Sequence, residues 1–386
     1  MKKILVVSAF NSGLNTGMLT VDLAFLTFMR RIQHLDSFEV HHVNAEKDHS
    51  FNHPRGGKFI EFKSMDAGAL DFADYHRIIF WGDFLHSRRF HMSDVLYRWG
   101  KPDENQAKSI INGIFRNLLL EQVPVDILRR VIVFGSSLYI NSRADEADPR
   151  YAAAMKRLYQ NARLILLRDP ISAYYAQRLG GYRPDSTVAL DAAFLWDSCD
   201  LNLFLPNPVK PAGQTNQIGF SLGRTVAKDP SVREPIMQII TSLCRTIGAG
   251  DPVDIDWLPP NWDNPLLGLS QKIQQIRQCR LVVTDTYHCA VNAWREGVPA
   301  ICVGRGVENS AGTFDDKKKE ILYMMFNIRD YYLFSEAFDR SDWQPNVYAR
   351  RMIGISENWQ HQAAIKTDLN RAVGDAEARL TQALLT

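Results

Sequence analysis

Short apolar runs recur along the chain, and most are followed by a stretch in which apolar residues return every three or four positions. Ile4–Ser8, Arg77–Trp81 (RIIFW), Arg130–Gly135 (RVIVFG) and Arg163–Leu167 (RLILL) read as strands buried on both faces. Gly17–Ile32 carries Leu19, Leu23, Leu26 and Met29 at helical spacing, and Gln106–Glu121 is the clearest helix between the second and third runs. Asp169-Pro170 predicts a helix start, with Asp as N-cap and Pro at the first helical position, and Gly180-Gly181 predicts its end. Leu205–Gly213, where Pro206, Pro208 and Pro211 interrupt any periodicity, reads as a linker. Beyond it the alternation resumes: strand Gln217–Leu222, helix Val232–Ile247, helix Leu269–Gln278, strand Arg280–Thr284, helix His288–Arg295 and strand Val298–Val303. An amphipathic helix is expected from about Glu357 to Leu385.

Alternating strand and helix predicts an α/β protein with parallel sheets. The expected division is a Rossmann-like domain over residues 1–205, a linker at 206–216 and a second Rossmann-like domain over 217–356. The terminal helix, 357–386, is expected to cross back to the first domain. Two such domains face each other across a cleft, an arrangement like that of GT-B glycosyltransferases, with ligands beyond the carboxyl ends of the strands.

The 386 residues include 45 Lys+Arg against 43 Asp+Glu, a net charge of +2. That balance argues against a protein that lives on nucleic-acid phosphates. No run of about 18 apolar residues offers a membrane span. The opening Met1-Lys2-Lys3 followed by Ile4–Val7 has a signal-peptide flavour, but its apolar run stops by Asn11, so a first buried strand is expected instead. The five cysteines show no CxxC spacing, which fits a reducing, cytoplasmic setting. His49 and His53 are four apart, but Pro54 and Gly56-Gly57 make a loop of them; no metal site and no cofactor is expected.

The richest stretch is Arg280–Arg305, RLVVTDTYHCAVNAWREGVPAICVGR. A strand ends at Thr284-Asp285 and a helix begins near Tyr287-His288, so a positive helix end faces the cleft, a place for phosphate or carboxylate. His288 there is either a proton donor to substrate or a residue packed beneath the strand end. Asp285 is either the N-cap or a functional carboxylate. In RLILLRDPISAYYAQRLG, Arg168 stands where a strand hands over to the capped helix. Its guanidinium holds either a bound anion or a neighbouring carboxylate such as Asp169. Ser172 either meets ligand or extends the cap.

Taken in order, these pieces resemble the polysaccharide pyruvyltransferase family. The matching residues are Arg168, Asp169 and Ser172, then Leu179-Gly180, then Asp191, Ala193, Phe194 and Leu195. They continue with Ile218–Leu222, Thr284–His288, Ala293 and Gly297–Pro299. Lys318, with Lys317 next, falls where the family places a lysine, and Asn11–Gly17 lies at its Gly/Asn-rich first loop. Two positions depart from the pattern: Thr286 stands where many members have Arg, and Met18 where many have Asp.

The resemblance implies transfer of a pyruvyl group from phosphoenolpyruvate to two hydroxyls of a polysaccharide or lipid-linked sugar, forming a cyclic ketal and releasing phosphate. It implies His288 as the acid and Arg168 with Lys318 as the anion cradle. Around them it suggests Asn15, Gly17, Ser172, Asp285 and Thr286, with Arg224 or Arg305 covering the charge missing at Thr286. A lipid-linked acceptor would bring the enzyme close to a membrane surface without anchoring it. Trp81, Trp257 and Trp262 either stack on sugar faces or pack between the domains. The competing expectation is a GT-B-type glycosyltransferase using a nucleotide sugar, with Asp285 or Glu308 holding the ribose.

Overall fold

The computed structural model describes residues 1–8, 15–44, 48–52, 58–65, 70–91, 103–181, 183, 187–201, 215–224, 229–259, 261, 264–306, 314–338 and 343–386. Most of the expected linker, residues 11–14 of the first loop, His53, Trp262 and Glu308 lie outside these residues.

The first sheet contains β1 (Lys2–Ser8), β2 (Phe38–Asn44), β3 (His49–Asn52), β4 (Lys58–Ser64), β5 (Arg77–Trp81), β6 (Val131–Ser136), β7 (Leu164–Leu167) and β8 (Thr187–Val188). Among the described residues its order is β3-β4-β2-β1-β5-β6-β7-β8, parallel throughout except for the β3–β4 pair. Strand order changes direction between β1 and β5, which opens a crevice at their carboxyl ends. The second sheet, in the order β10-β9-β11-β12-β13, is all parallel. Its strands are β9 (Gln217–Ser221), β10 (Val253–Asp254), β11 (Cys279–Thr284), β12 (Ala300–Gly304) and β13 (Tyr332–Phe334). Two parallel, Rossmann-like sheets are thus present as expected.

The longer helices are α1 (Thr16–Ile32), α2 (Glu104–Asn117), α3 (Pro149–Asn161), α4 (Pro170–Gly180), α5 (Pro230–Ile247), α6 (Pro265–Gln278), α7 (Tyr287–Arg295), α8 (Phe314–Met325), α9 (Pro345–Glu357) and α10 (Trp359–Leu385). The expected start and stop of α4 hold: Asp169 accepts from the Ser172 amide, Pro170 is the first helical residue, and Gly181 ends the helix at φ 83°. The expected terminal helix is present as α10, and Asn358, whose side chain accepts from the His361 amide, caps its start and separates it from α9. His49 also differs from the expected loop, since it lies on β3.

Alternation along the first sheet assigns its two faces to different cores. Leu5, Val7, Ile78, Phe80, Val131, Val133, Ile165 and Leu167 pack with α2, α3 and α4 residues. The intervening Ile4, Val6, Ile79, Trp81, Ile132, Phe134 and Leu166 join a core that runs into the second sheet. Helix α10 contributes Ile365, Leu369, Val373, Ala376 and Leu380 to that same core. Its last turn docks on the first sheet, where Arg77 and Arg163 both donate to the Ala383 carbonyl at 2.9 and 2.8 Å. Cations at the negative end of a helix complement its dipole. The terminal helix therefore does cross back to the first sheet.

Candidate active site

The T-D-T-Y-H turn is braced from three sides. Thr284 Oγ1 donates to the Ser221 carbonyl at 2.8 Å and accepts from the Thr286 amide at 3.0 Å, tying β11 to β9. Asp285 is not the N-cap of α7, a correction to the first expectation. Its carboxylate accepts from the amides of Gly223 and Arg224 at 3.0 and 2.9 Å, fixing the turn after β9. Thr286 occupies the cap position with no side-chain cap bond, and its hydroxyl donates to Asp285 instead. Beneath the turn, buried Lys319 pairs with Asp316 at 2.5 Å and donates to the carbonyls of Asp285 and Val303 at 2.8 and 3.0 Å.

This bracing presents His288, in the first turn of α7, against the first sheet's edge. Gly17 on α1 is the contact surface: a Cβ built there would lie 2.5 Å from His288 Nδ1 and 2.7 Å from its Cβ and Cγ. Gly17 is thus at the site because the imidazole packs on its backbone. Asn15 caps α1, accepting from the Met18 amide at 2.8 Å, so its side-chain oxygen is engaged in structure. Ser172, proposed for ligand, is likewise engaged. Its hydroxyl lies 2.7 Å from Asp169, 3.2 Å from Ser137 and 2.8 Å from the Leu138 amide, and it is fully buried.

Arg168 reaches the same place from the end of β7. Its Nη1 donates to Asp191 Oδ2 at 3.1 Å, both side chains being nearly inaccessible. Asp191, not Asp169, is therefore its carboxylate. The guanidinium lies over the rings of Phe84 and Tyr287, at 5.2 and 5.3 Å. Lys318 on α8 approaches the same two rings, at 6.0 and 5.5 Å. Of the three adjacent lysines, Lys318 is the one over these rings and acting on His288, Lys319 is buried in the bracing and Lys317 pairs with Glu320 at 2.8 Å. Arg305 lies 3.9 Å from Asp229.

His288 Nε2 and Arg168 Nη2 are buried and make no hydrogen bond among the described residues. Asp191 Oδ1 lies 3.8 Å from His288 Nε2. Burial, together with the charges of Lys318, Arg168 and Arg224 and against the pull of Asp191, lowers the His288 pKa to about 4. The imidazole is therefore neutral near pH 7 in the unliganded protein. Burial pushes Asp191 upward, but His288, Arg168 and the Ala193 amide outweigh it and hold the carboxyl below its ordinary range.

Sequence reasoning brought Arg168, His288, Gly17, Lys318, Asp285 and Thr286 into one neighbourhood, with Arg224 near enough to act on His288 electrostatically. It missed the Phe84 and Tyr287 rings, the bracing by Lys319 and the place of Asp191, although Asp191 was visible in the D-x-A-F-L run. Trp81 and Trp257 are buried; Trp81 stacks on Phe134 at 4.7 Å and donates to the Val21 carbonyl at 2.8 Å. Packing is therefore their place, and neither offers a face to a sugar. No group of metal-ligating side chains occurs among the described residues, and no helix there is long and apolar enough to cross a membrane.

Comparison with solved structures finds several similar folds at low identity. A functionally uncharacterised Klebsiella pneumoniae protein is 16% identical, with a TM-score of 0.39 over 85% of this chain and 91% of its own. The UDP-GlcNAc 2-epimerase of Methanocaldococcus jannaschii is 9% identical, with a TM-score of 0.45 over 92% and 99%. Anabaena HepE, solved in complex with UDP and glucose, is 12% identical, with a TM-score of 0.43 over 99% of each chain. No protein of curated function matches the sequence. The sequence profile described as polysaccharide pyruvyl transferase matches residues 59–306, well over half of the chain and inclusive of Arg168, Asp191 and His288. On that match the chain belongs to the polysaccharide pyruvyl transferase family, a family of enzymes.

Proposed function

We propose that the protein transfers the pyruvyl group of phosphoenolpyruvate to two hydroxyls of a sugar in a polysaccharide or its lipid-linked precursor, forming a pyruvate ketal. The observation that carries the reading is the pair of buried nitrogens, Arg168 Nη2 and His288 Nε2, that make no hydrogen bond among the described residues, beside the cations Lys318 and Arg224. A donor carrying a carboxylate and a phosphate supplies the acceptors that such a cluster lacks. The domain division at residues 206–216 belongs to the same reading, with the acceptor on the side of the first sheet and the donor mainly on the second.

The chemistry runs in balanced steps. Imidazolium His288 gives its Nε2 proton to the methylene carbon of phosphoenolpyruvate, whose double-bond electrons form the new C–H bond and leave C2 electrophilic. One sugar hydroxyl adds to C2 and returns a proton to His288. Inorganic phosphate then departs with the bonding pair, and the second hydroxyl closes the ketal, its proton leaving with phosphate. Arg168 and Lys318 hold the negative oxygens throughout; Arg224 supplies the charge that Thr286 does not. Loss of one such contact should cost about 2–4 kcal/mol of transition-state stabilisation.

Isothermal calorimetry with phosphoenolpyruvate, beside a panel of nucleotide sugars, tests this reading. Binding of phosphoenolpyruvate that Arg168→Ala and His288→Ala weaken is the expected result. Binding of a nucleotide sugar with silence toward phosphoenolpyruvate would overturn it in favour of glycosyl transfer.

A further inference from the structure

The steps above assign no part to Asp191, yet its position is unusual. It follows β8 and opens the 3-10 turn Ala192–Leu195, where a cap to the Ala193 amide at 2.9 Å occupies one oxygen. A serine or asparagine could cap that turn without burying a charge. The carboxylate is instead 3% exposed, and desolvating it is costly unless it is paired. Arg168 supplies the pairing through Oδ2 at 3.1 Å, while Oδ1 faces His288 Nε2 at 3.8 Å. The 3-10 turn itself packs on both α1 and α7, so Asp191 sits where the two sheets' helices meet.

We propose that Asp191 is a positioning residue that sets the His288 imidazole and the Arg168 guanidinium in fixed relation across the cleft, one carboxylate oxygen facing each. The groups around His288 make the consequence specific. Arg168 from the end of β7, Lys318 from α8 and Arg224 from the turn after β9 are all cationic and oppose a charged imidazole. The neighbouring Tyr287 ring meets it edge-on at 5.2 Å, and Gly17 on α1 carries no charge. Asp191 is the facing carboxylate that favours the imidazolium, and so it favours the form that can protonate the donor. The proton-transfer part of this inference rests on the proposed donor chemistry; the geometric part does not.

Asp191→Asn keeps the shape and a carbonyl for the Ala193 amide while removing the charge. Histidine-selective NMR titration of the donor-free protein should show the His288 pKa falling by about one unit or more in this variant. Turnover should fall roughly 10- to 100-fold. The basic limb of its pH profile should move to lower pH. Asp191→Glu should recover part of the turnover. A His288 titration and pH profile unchanged from wild type would overturn the inference. So would a fall in kcat and phosphoenolpyruvate affinity together at unshifted pH dependence, the mark of a merely structural residue. Asp191→Ser, which also keeps a cap, provides the same comparison if the asparagine variant melts early. Wild-type protein that binds no phosphoenolpyruvate would defeat the donor reading, and the donor-free titration would still decide the place of Asp191.

Discussion

Gly17→Ala tests the meeting of the two halves most directly. A Cβ at residue 17 would sit 2.5–2.7 Å from three atoms of His288, against ordinary carbon contacts of about 3.5–4 Å. The ring or one of the helices α1 and α7 must therefore move by roughly 1 Å. Overpacking of this kind costs about 1–3 kcal/mol, and Ala recovers about 1 kcal/mol over Gly within a helix. Net destabilisation should thus be about 0–2 kcal/mol, a downward Tm shift of a few degrees for a chain of this size. Function should suffer far more, because a 1 Å misplacement of a reacting group can cost about 100-fold. Thermal unfolding, phosphoenolpyruvate calorimetry and the His288 ring resonances should be followed together. A slightly less stable protein with displaced His288 resonances and weakened donor binding is expected. Unchanged resonances and affinity would refute the packing argument, and a loss of stability beyond about 4 kcal/mol would mean that Gly17 serves the fold more than the site.

Donor binding should take up close to one proton near neutral pH. With a pKa of about 4, roughly one His288 in a thousand is charged at pH 7, and each donor charge placed about 4 Å away contributes about 4 kcal/mol at an effective dielectric constant of 20. Binding enthalpies measured in buffers of different ionisation heat check this, and enthalpies independent of buffer would exclude the uptake. Lys319→Met strands the buried Asp316 charge and should destabilise by about 3–5 kcal/mol, whereas Lys318→Met should leave the melt nearly unchanged and weaken donor binding; equal melting of the two would contradict the assignment. Burial lowers His42 and His91 to about 4 and His86 to about 3, in each case favouring the neutral ring in the folded state. Stability contributed by these groups is complete above about pH 6.5 and is lost as pH falls toward their folded values, each adding up to about 1.4 kcal/mol per pH unit. Urea unfolding between pH 7 and 4.5 should show that steepening, and a flat profile would argue that these rings are hydrated.

What could be read along the chain was what local chemistry encodes. RIIFW and RVIVFG are apolar on both faces because both faces of the first sheet are covered, and Asp169-Pro170 with Gly181 bounds α4 through capping alone. Strand β2, FEVHHVN, has no apolar run to mark it because Glu39, His41, His42 and Asn44 interrupt its apolar residues. Motif order carried the family and put Arg168 and His288 in one cleft. The choice of Lys318 over Lys319 depends on helix rotation: one residue turns the side chain by about 100°, from the Tyr287 ring into the bracing of Asp285.

The rest needed three dimensions. Whether His288 packed or faced substrate was open from local pattern, because its environment comes from Gly17, Arg168, Asp191 and Lys318, which belong to distant segments. The same holds for Ser172, whose hydroxyl is engaged within the fold, and for Asn15, whose side-chain oxygen caps α1. Sequence by itself determined the alternating elements, the caps and the family. Tertiary structure alone decided which polar groups remain unpaired, because desolvation and charge at a site are sums over side chains that meet only when both sheets are in place.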